Sequence, residues 1–547
     1  MRRILTWLDE PNTATGIHVA RRDDWDERPY STLREHVHAA AHRYLAAGIR
    51  PGDVVSIVQP AADAFLIDFF GTLLAGATPN PLPPLLPMQS DTTYRTKITP
   101  LLQAARPVLV STTPQLAPLL DPAVATIEGA AIIDPTATAA PHRSLPGCQP
   151  DGIGLLQFTS GSSGTPKGVR VTVANLEANI HAIATWLGAT DNDRVATWLP
   201  PYHDMGLIGC LLAPVTHGLT IQAMTPLQFI QHPLRWLARF GRDHATITAA
   251  PNFALSHLLS KVHPHDLTGL DFRGWRSLII GAERIDATVL RALVELLGPH
   301  GFDDTTLCPA YGLAEATLAV TGVRPGEPVQ LIETPYGTNE LTTPVNLMSA
   351  HLDDTSRWLV GCGHPLTEVT VDIDTPARRT RTGEVNVGGP GVATGYQTAA
   401  GRIPLRHSTS GALATGDVAA LVHGQLYPIG RVGDSVKVRA VTVFAEDIET
   451  AVAAGCALDG NRVVALTGHG QHGVEIGVVI EDRHIDPRQV RHIVRRSVGT
   501  DALVRVFRAK RGTIERTTSG KPRRRIMWTR LHQGDYDTYE LADDAVH

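Results

Sequence analysis

Lysine is scarce in this chain of 547 residues, and arginine supplies most of its basic charge. A lysine that falls inside a motif is therefore more informative here than in an average sequence. The complete set is Lys97, Lys167, Lys261, Lys437, Lys510 and Lys521.

Cysteine is also rare, and its five positions lie far apart with no C-x-x-C pair. This spacing argues against a disulfide framework and against a cysteine zinc site. A reducing, cytoplasmic environment is the expected location. The cysteines are Cys148, Cys210, Cys308, Cys362 and Cys456.

Long apolar runs and a strong charge imbalance are absent as well. No run is long enough to span a bilayer, and the N-terminal stretch reaches Asp9 and Glu10 before the apolar part of a signal peptide could develop. The formal net charge of −5 provides no general attraction to nucleic acid or to an anionic membrane. With 43% hydrophobic residues, the chain can bury several cores. We therefore expect a globular protein of several domains, with partners that must be inferred from its sites.

The first 300 residues alternate between helical and strand patterns. A helical pattern from Leu33 to Leu45 is followed by a strand, Val54–Val58, and by a second helix that contains Phe65 and Leu73. Further strands and one capped helix are expected downstream. This rhythm predicts an α/β fold with largely parallel, covered sheets. The downstream elements are strands 153–158, 194–199, 245–250 and 277–280, and a helix from Asp286 to Gly298.

The remainder of the chain has a different character. Residues 134–151 are rich in Pro, Ala and Thr and are expected to form a loop. Residues 355–430 contain short alternating strands with many Gly and Pro, which predicts an antiparallel unit or a small barrel. From about Asp434, strand and helix patterns alternate again and indicate a small α+β domain.

The most informative loop lies within Leu155–Val169, LLQFTSGSSGTPKGV. Glycines allow the backbone to approach a ligand, while hydroxyls, free amides and Lys167 can bind anionic oxygens. A solvated turn is the alternative for such a loop taken alone. The pattern is not a Walker A loop, because Pro166 precedes the lysine and Gly168 follows it. A helix with Leu176 and Leu187 on its apolar face follows, so we predict a strand, loop and helix in that order.

Six short stretches must be interpreted together. Each alone fits a structural role: His203 could be a hydrogen-bonded core histidine, and Glu283 and Glu315 could be charges on helix surfaces. In this order and at this spacing they closely resemble the motifs of the adenylate-forming superfamily, which contains acyl-CoA synthetases, nonribosomal adenylation domains and luciferases. The stretches are Thr159–Gly168, Tyr202–Gly206, Gly281–Glu283, Ala310–Leu318, Thr415–Asp417 and Thr517–Lys521.

One branch of that superfamily is especially similar. The stretches WLPPYHDMGLIG (198–209), APNFAL (250–255), CPAYGLAEATL (308–318) and LVGCGHPL (359–366) resemble those of fatty acyl-AMP ligases. Many acyl-CoA synthetases carry threonine before the magnesium-binding glutamate, whereas this chain has Ala314, as in fatty acyl-AMP ligases.

The resemblance implies a fold and a division into domains. A large N-terminal domain, residues 1–430, is expected to combine two stacked α/β sheet subdomains with a small β-rich, barrel-like subdomain. A hinge at 431–434 joins it to a small mobile α+β domain, 435–547, which carries the catalytic lysine.

The resemblance also implies the residues of a nucleotide site. Glu315 is the family position for the Mg²⁺ ligand, and Mg²⁺ suits one carboxylate together with phosphate oxygens. Tyr311 offers adenine an aromatic face, and Asp417, assisted by Arg431, accepts from the ribose hydroxyls. The residues expected to bind ATP are Thr159, Ser160, Gly161, Ser162, Ser163, Gly164, Thr165, Lys167, Gly281, Ala282, Glu283, Ala310, Tyr311, Gly312, Asp417 and Arg431.

Two residues are expected to act on the reacting groups. Lys521 occupies the family position of the lysine that reaches the α-phosphate and the carboxylate. His203 is expected to position the carboxylate or phosphate, since Ala314 lacks a hydroxyl. Two of the six lysines, Lys167 and Lys521, thus fall in the motifs where the family places a functional lysine.

The implied reaction has two steps. A fatty or related carboxylic acid reacts with ATP to form acyl-AMP and pyrophosphate, and the acyl group then passes to the phosphopantetheine thiol of a separate acyl carrier protein. Residues 321–358 are the expected equivalent of an insertion associated with poor use of free CoA. The alternatives are an acyl-CoA synthetase, an activator of a smaller acid that acylates an amine, and a non-catalytic nucleotide-binding protein.

The region after the hinge departs from the family pattern. Relatives usually carry Lys-Asp after Gly-Arg, whereas this chain has Gly433-Asp434, followed by an altered loop at 439–445. This departure is expected to affect the second step, in which the acyl group passes to the phosphopantetheine thiol. Residues 433–436 mimic the serine motif of carrier proteins, but their place at the hinge argues against a fused carrier. The basic cluster 523–525 suits either an acidic carrier surface or the solvated edge of the ATP site.

Overall fold

The structure is a computed structural model, and it describes most of the chain. Five predicted features lie partly or wholly outside the described residues: the loop 134–151, the glycine-serine segment 160–164, the expected insertion 321–358, the loop 439–445 and the motif Thr517–Lys521. The described residues are 3–22, 24–86, 89–133, 144–159, 165–335, 341–352, 356–374, 382–438, 441–470, 473–498, 502–517, 520–533 and 539–540.

The first part of the chain follows the predicted helix and strand rhythm. The predicted first helix, the strand at 54–58 and the second helix are all confirmed. The elements are β1 (Gly16–Ala20), β2 (Trp25–Pro29), α1 (Tyr30–Ala46), β3 (Val54–Val58), α2 (Ala62–Leu74), β4 (Thr78–Pro81), α3 (Asp91–Ala105), β5 (Leu109–Thr112), α4 (Ala117–Val124) and β6 (Ala131–Ile133).

The middle part contains the central helices of the N-terminal region. Thr172 and Asn175 form a capping box at the start of the fifth helix, and Asp286 caps the tenth by accepting from the Thr288 amide, as predicted. A π-helix, Met205–Leu212, follows the YHDMG motif. The elements are β7 (Ile153–Thr159), β8 (Lys167–Thr172), α5 (Val173–Leu187), β9 (Arg194–Thr197), α6 (Ala213–His217), β10 (Thr220–Ala223), α7 (Pro226–Gln231), α8 (Pro233–Gly241), β11 (Ile247–Ala250), α9 (Asn252–Lys261), β12 (Ser277–Ile280), α10 (Ala287–Leu297), β13 (Leu307–Gly312) and β14 (Ala319–Gly322).

Short strands dominate the next part, and the small α+β unit follows it. The sequence prediction of both regions is confirmed. The elements are β15 (Gln330–Pro335), β16 (Val345–Asn346), β17 (Ser356–Val360), β18 (His364–Pro365), β19 (Thr370–Asp374), β20 (Thr382–Gly388), β21 (Tyr396–Thr398), β22 (Gly401–Ile403), β23 (Leu413–Val422), β24 (Gln425–Arg431), β25 (Ser435–Val438), β26 (Val441–Phe444), α11 (Ala445–Gly455), β27 (Val463–Gly470), β28 (Gly473–Ile480), α12 (Pro487–Val498), β29 (Ala502–Arg508), α13 (Arg524–Gln533) and β30 (Tyr539–Glu540).

A nine-stranded sheet forms the centre of the large N-terminal part, in the order β18-β14-β13-β12-β11-β9-β10-β1-β2. The pairs from β13 to β1 are parallel, and the edge pairs are antiparallel. The carboxyl ends of parallel strands meet at one sheet edge, which is where ligands bind in α/β folds. The GAE and AYG motifs follow β12 and end β13, so both lie at that edge.

A second α/β layer is built from two smaller sheets. One is parallel, β4-β3-β5-β6, and the other is antiparallel, β22-β21-β8-β7. Side chains of β4 bind the neighbouring β7: Asn80 donates to the Leu156 carbonyl at 2.8 Å, and Thr78 donates to that of Ile153 at 2.9 Å. These bonds attach β7, the strand that precedes the glycine-serine loop, to the buried strand β4.

The predicted order of strand, loop and helix around Lys167 is wrong. Lys167 begins β8, which pairs antiparallel with β7 and places Thr159 opposite Lys167. A second strand, β8, therefore lies between β7 and the helix, and α5 begins only after that strand. Val169 and Val171 alternate along this second strand, and Thr172 ends it. All three are β-branched residues, which favour strands because they suit a pleated, half-buried surface.

The antiparallel region and the small unit each have a distinct core. Strands β19, β20, β23 and β24 form a four-stranded antiparallel sheet. The sheet β27-β28-β29-β30 carries α11 and α12 on one face and α13 on the other, with a separate buried cluster on each side. Phe444 instead packs with Tyr427 and Ile429 of β24, so it joins the small unit to the antiparallel sheet. Among the described helices, none is both long and apolar enough to cross a membrane.

Candidate functional site

One cavity of about 1500 Å³ contains most of the residues proposed from the sequence. Thr165 is exposed and does not line it, and residues 160–164 lie outside the described part of the chain. The predicted residues that line the cavity are Thr159, Lys167, His203, Gly281, Ala282, Glu283, Ala310, Tyr311, Gly312, Glu315, Asp417, Arg431 and Lys521.

The sheet edge holds two backbone segments in close contact. A Cβ atom on Gly281 would lie 3.0 Å from the Ala310 carbonyl oxygen, so glycine allows the two strand ends to approach. The next residue, Ala282, has φ +69°, a left-handed conformation that is strained for a residue with a side chain. Strain of this kind concentrates at functional sites.

Asp417 lies at the centre of a polar cluster. Its Oδ2 accepts from the Tyr311 hydroxyl at 2.8 Å, and its Oδ1 accepts from Arg431 Nε at 2.8 Å. Burial and the Asp417 charge hold the pKa of Tyr311 well above its usual value, so its hydroxyl remains a donor. The Asp417 charge likewise raises the pKa of Arg431. The carboxylate is thus fixed in place while lone pairs remain for a bound diol.

Glu315 and Lys167 are linked through Tyr396. The Tyr396 hydroxyl donates to Glu315 Oε1 at 2.8 Å, and Lys167 Nζ lies 5.5 Å from the centre of the Tyr396 ring. Burial, followed by the Glu315 charge, raises the pKa of Tyr396, which keeps the hydroxyl protonated. Tyr396 lies opposite Val169 in the β21–β8 pairing, beside the strand that Lys167 begins.

His203 is paired with its neighbour Asp204. The distance from His203 Nδ1 to Asp204 Oδ1 is 2.8 Å, and the Met205 amide also donates to that oxygen at 2.8 Å. Burial favours a raised pKa for Asp204, but the charge and hydrogen bond of His203 outweigh it and the pKa is lowered. An ionised Asp204 at Nδ1 leaves Nε2 as the ring nitrogen for other partners.

Lys521 enters the cavity from the small C-terminal unit. Its loop is closed by the Thr517 amide donating to the Lys521 carbonyl at 2.8 Å and by the Lys521 amide donating to Thr517 Oγ1 at 3.1 Å. Burial and the nearby Arg431 charge lower the pKa of Lys521, while Asp204, Asp417 and Glu283 act in the opposite direction. The charge of the amine is therefore influenced by carboxylates from three separate motifs.

Comparisons with known proteins agree with this geometry. The family model described as AMP-binding enzyme matches residues 9–397. The chain belongs to this family of AMP-binding enzymes. The medium-chain-fatty-acid–[acyl-carrier-protein] ligase JamA of Moorena producens is 28% identical over 520 residues, which cover 88% of this chain and 86% of JamA. The long-chain-fatty-acid–AMP ligase FadD26 of Mycobacterium marinum is 29% identical over 538 residues, covering 90% of this chain and 89% of that protein.

Solved structures agree with the fold of this AMP-binding enzyme. A structure from a study of the fatty acyl-adenylate ligases of E. coli and L. pneumophila has a TM-score of 0.85 at 27% identity, with 98% of each chain covered. The L. pneumophila fatty acyl-adenylate ligase bound to acyl adenylate and pyrophosphate has a TM-score of 0.69 at 26% identity, with 98% of this chain and 95% of that chain covered. The predicted resemblance to fatty acyl-AMP ligases and the predicted fold are confirmed. The chain is an adenylate-forming fatty acid ligase that uses ATP.

The AMP-binding enzyme has a buried ion pair between its two parts. Arg284, directly after the GAE motif, donates to Asp447 of α11 at 2.6 Å, and the Asp447 side chain is only 6% exposed. Arg524 of α13 contacts Asp434 at 2.9 Å and the α11 residues Glu446 and Glu449. Arg524 of the basic cluster is therefore already paired, and Arg523 and Arg525 line the same cavity as the nucleotide motifs.

Sequence reasoning missed three of the residues that organise this site. Asp204 lies inside the quoted YHDMG motif, so its position beside His203 was an available signal. Tyr396 lies 81 positions from Glu315, and no local pattern connects the two. Arg284 adjoins the GAE motif, but its partner Asp447 is 163 positions away in a helix whose face cannot be assigned before the domains are placed.

The site has the chemistry that a Mg²⁺ ion bound with ATP requires. Glu315 lines the cavity with a carboxylate oriented by Tyr396. Within the described ranges, no three His, Cys, Asp or Glu residues form a metal cluster. A single oriented carboxylate fits Mg²⁺, which usually retains water and binds phosphate oxygens rather than an all-protein cage.

Proposed function

We propose that this enzyme converts a fatty acid and ATP into acyl-AMP and pyrophosphate, and then transfers the acyl group to the phosphopantetheine thiol of a separate acyl carrier protein. In the first step a carboxylate oxygen bonds to the α-phosphorus as the bond to the pyrophosphate oxygen breaks. In the second step the thiol sulfur replaces AMP at the acyl carbon, and the thiol proton leaves to solvent.

The observation that carries this proposal is the continuity of a polar and an apolar region in one cavity. Tyr311, Asp417 and Arg431, which we propose bind the nucleoside, line one section of the cavity. Residues of α5, the π-helix and β11 line an apolar section of the same cavity. His203 and Lys521 also line this cavity. An aliphatic chain suits the apolar section, and its carboxylate can reach the nucleotide section without leaving the cavity.

The residues of this chain are assigned as follows for the first step. Lys167 and Thr159 bind the phosphates that leave, and Tyr311 and Asp417, with Arg431, hold the nucleoside. Mg²⁺, held by Glu315, supplies positive charge against the phosphate oxygens when bound. Preorganised cations of this kind stabilise the charge that develops on the departing pyrophosphate.

Lys521 and His203 are assigned to the reacting groups. The Lys521 ammonium neutralises the α-phosphate and the carboxylate, which otherwise repel each other as anions. His203, oriented by Asp204, positions the carboxylate or phosphate through Nε2. We place these functions in an N-terminal domain of residues 1–430, a hinge at 431–434 and a C-terminal domain of 435–547.

The proposed acceptor is supported by the relative JamA, whose name specifies an acyl carrier protein, and by Ala314 before the proposed metal ligand. The second candidate is an acyl-CoA synthetase, because Gly433 stands at the hinge where relatives usually carry lysine and this change affects the transfer step. The experiment forms acyl-AMP from radiolabelled dodecanoic acid and then adds either a holo acyl carrier protein or free CoA. We expect acyl-carrier product in large excess. Comparable or preferred acylation of CoA contradicts the proposed acceptor.

A further inference from the structure

Gly209 differs from every other residue of the π-helix Met205–Leu212. The other seven residues of this helix are buried, whereas Gly209 retains exposed surface and lines the cavity. The exposed surface of Gly209 therefore forms part of the cavity lining.

Neither packing nor backbone conformation requires glycine at this position. A Cβ atom on Gly209 would find one heavy atom of the described residues within 4 Å, Leu318 Cδ2 at 3.5 Å, which is an ordinary van der Waals distance. Gly209 is not among the residues with positive φ. In the same helix, a Cβ on Gly206 would lie 2.4 Å from the Pro200 carbonyl oxygen, so Gly206 is needed for close packing. At Gly209 the missing side chain leaves open space in the cavity.

Other lining residues lie toward the opposite edge of the sheet from the nucleotide motifs. Val195 and Ile247 pair near the amino-terminal ends of β9 and β11, at the far edge of the sheet from the GAE and AYG motifs. Trp186 also lines the cavity, from the last turn of α5. Its indole donates to the Val323 carbonyl at 2.9 Å, and its ring packs so closely on Gly322 that a Cβ there would lie 2.1 Å from it. Trp186 is therefore a fixed part of the cavity wall.

The helix also fixes the order of positions along the cavity. His203 and Asp204 precede the π-helix and lie near Lys521, while Gly209 follows His203 by six positions. At the α-helical rise of about 1.5 Å per residue this separation is at most about 9 Å. A side chain at position 209 would consequently meet the middle of an acyl chain and not its carboxylate.

We propose that Gly209 determines the acyl chain length that this enzyme accepts. Its missing side chain leaves open space beside Leu318, so the cavity accepts acyl chains that are long enough to pass this position. This inference rests on the proposed acyl-AMP-forming function and names a residue that sets its chain-length range.

The test compares G209A and G209L with wild type in ATP–pyrophosphate exchange, using butanoic, octanoic, dodecanoic and hexadecanoic acids. Each methylene excluded from an apolar pocket lowers affinity about fourfold. We expect G209L to lose about a hundredfold or more with dodecanoic and hexadecanoic acids, and to stay within about threefold of wild type with butanoic acid. G209A should show a smaller loss that grows with chain length.

Two further variants separate a chain-length effect from damage to the fold. Gly274 is exposed with nothing within 4 Å of its Cβ position, so G274L adds the same side chain outside the cavity and should retain the wild-type profile. The double variant G209L/L318A should regain part of the long-chain activity, because Leu318 is the neighbour of the added group.

The outcomes distinguish this inference from the proposed function. If wild type exchanges with no acid, the proposed function fails whatever Gly209 does. If wild type exchanges with fatty acids and G209L keeps the same chain-length profile, or loses all four acids equally, the inference about Gly209 is overturned.

Discussion

The Tyr396 hydroxyl donates a hydrogen bond to Glu315 Oε1 at 2.8 Å, and Lys167 lies over the ring of the same tyrosine. One side chain thus connects the proposed metal ligand with the proposed phosphate-binding lysine. Groups that orient a metal ligand typically contribute 10- to 100-fold to metal affinity or activity.

Removing that hydroxyl should weaken the proposed metal site. In Y396F we expect the Mg²⁺ concentration for half-maximal ATP–pyrophosphate exchange to rise about tenfold, because the Glu315 carboxylate loses its fixed orientation. The acid preference should not change. Y427F is the matched control, since Tyr427 is a buried tyrosine that does not line the cavity. An unchanged Mg²⁺ dependence in Y396F would remove Tyr396 from this account.

The site as a whole was only partly predictable from the sequence. The residues within continuous motifs, such as Gly281 and Tyr311, were identified because their spacing is local. The bond between Tyr396 and Glu315 was not, because it requires β21 to pair with β8 and depends on the tertiary fold.

The fold shows the same limit. The helix α5 was predicted because its apolar positions recur at helical spacing. Strand β8 was not predicted, although Val169 and Val171 alternate. Its six residues directly follow a glycine-rich loop, and so short a pattern is also compatible with a continuation of that loop. The order of the nine-stranded sheet was not predictable, since it joins strands that are distant in the chain.

Lys521 should be the most sensitive single position for acyl-AMP formation. Removing a preorganised charge of this kind costs about 10²–10³ in rate. We therefore expect K521A to slow single-turnover acyl-AMP formation by about that factor while ATP binding, measured by calorimetry, persists. The control is K510A, which changes an exposed lysine outside the cavity. Unaltered single-turnover adenylation in K521A would show that the assignment is wrong.

The pH dependence of adenylation should report on Lys521. Burial and the Arg431 charge lower the pKa of this amine, so its charge is lost at lower pH than that of an ordinary lysine. Asp204 opposes this shift, and D204N should therefore move the alkaline fall in rate to still lower pH. In K521R the charge persists, and any remaining rate should lack this fall. Identical alkaline limbs in wild type and D204N would contradict the placement of these two groups.

The ion pair between Arg284 and Asp447 should favour the arrangement in which Lys521 enters the cavity. Breaking a short charged bond at a buried carboxylate costs about 1.5–3 kcal/mol, or roughly ten- to a hundredfold. We expect R284A to slow single-turnover acyl-AMP formation by at least about tenfold, with a smaller effect on acyl transfer from preformed acyl-AMP. R505A, which breaks the Arg505–Glu475 pair inside the small unit, is the control. Equal losses in both half-reactions would show that the pair does not act selectively on adenylation.

The central claim is that this chain activates a fatty acid as its adenylate. The most direct measurement is ATP–pyrophosphate exchange by the wild-type protein with Mg²⁺ over a panel of carboxylic acids of increasing chain length. The account predicts exchange that depends strictly on added acid and is greatest with medium- or long-chain fatty acids. Exchange only with small or aromatic acids, or no acid-dependent exchange at all, would contradict it.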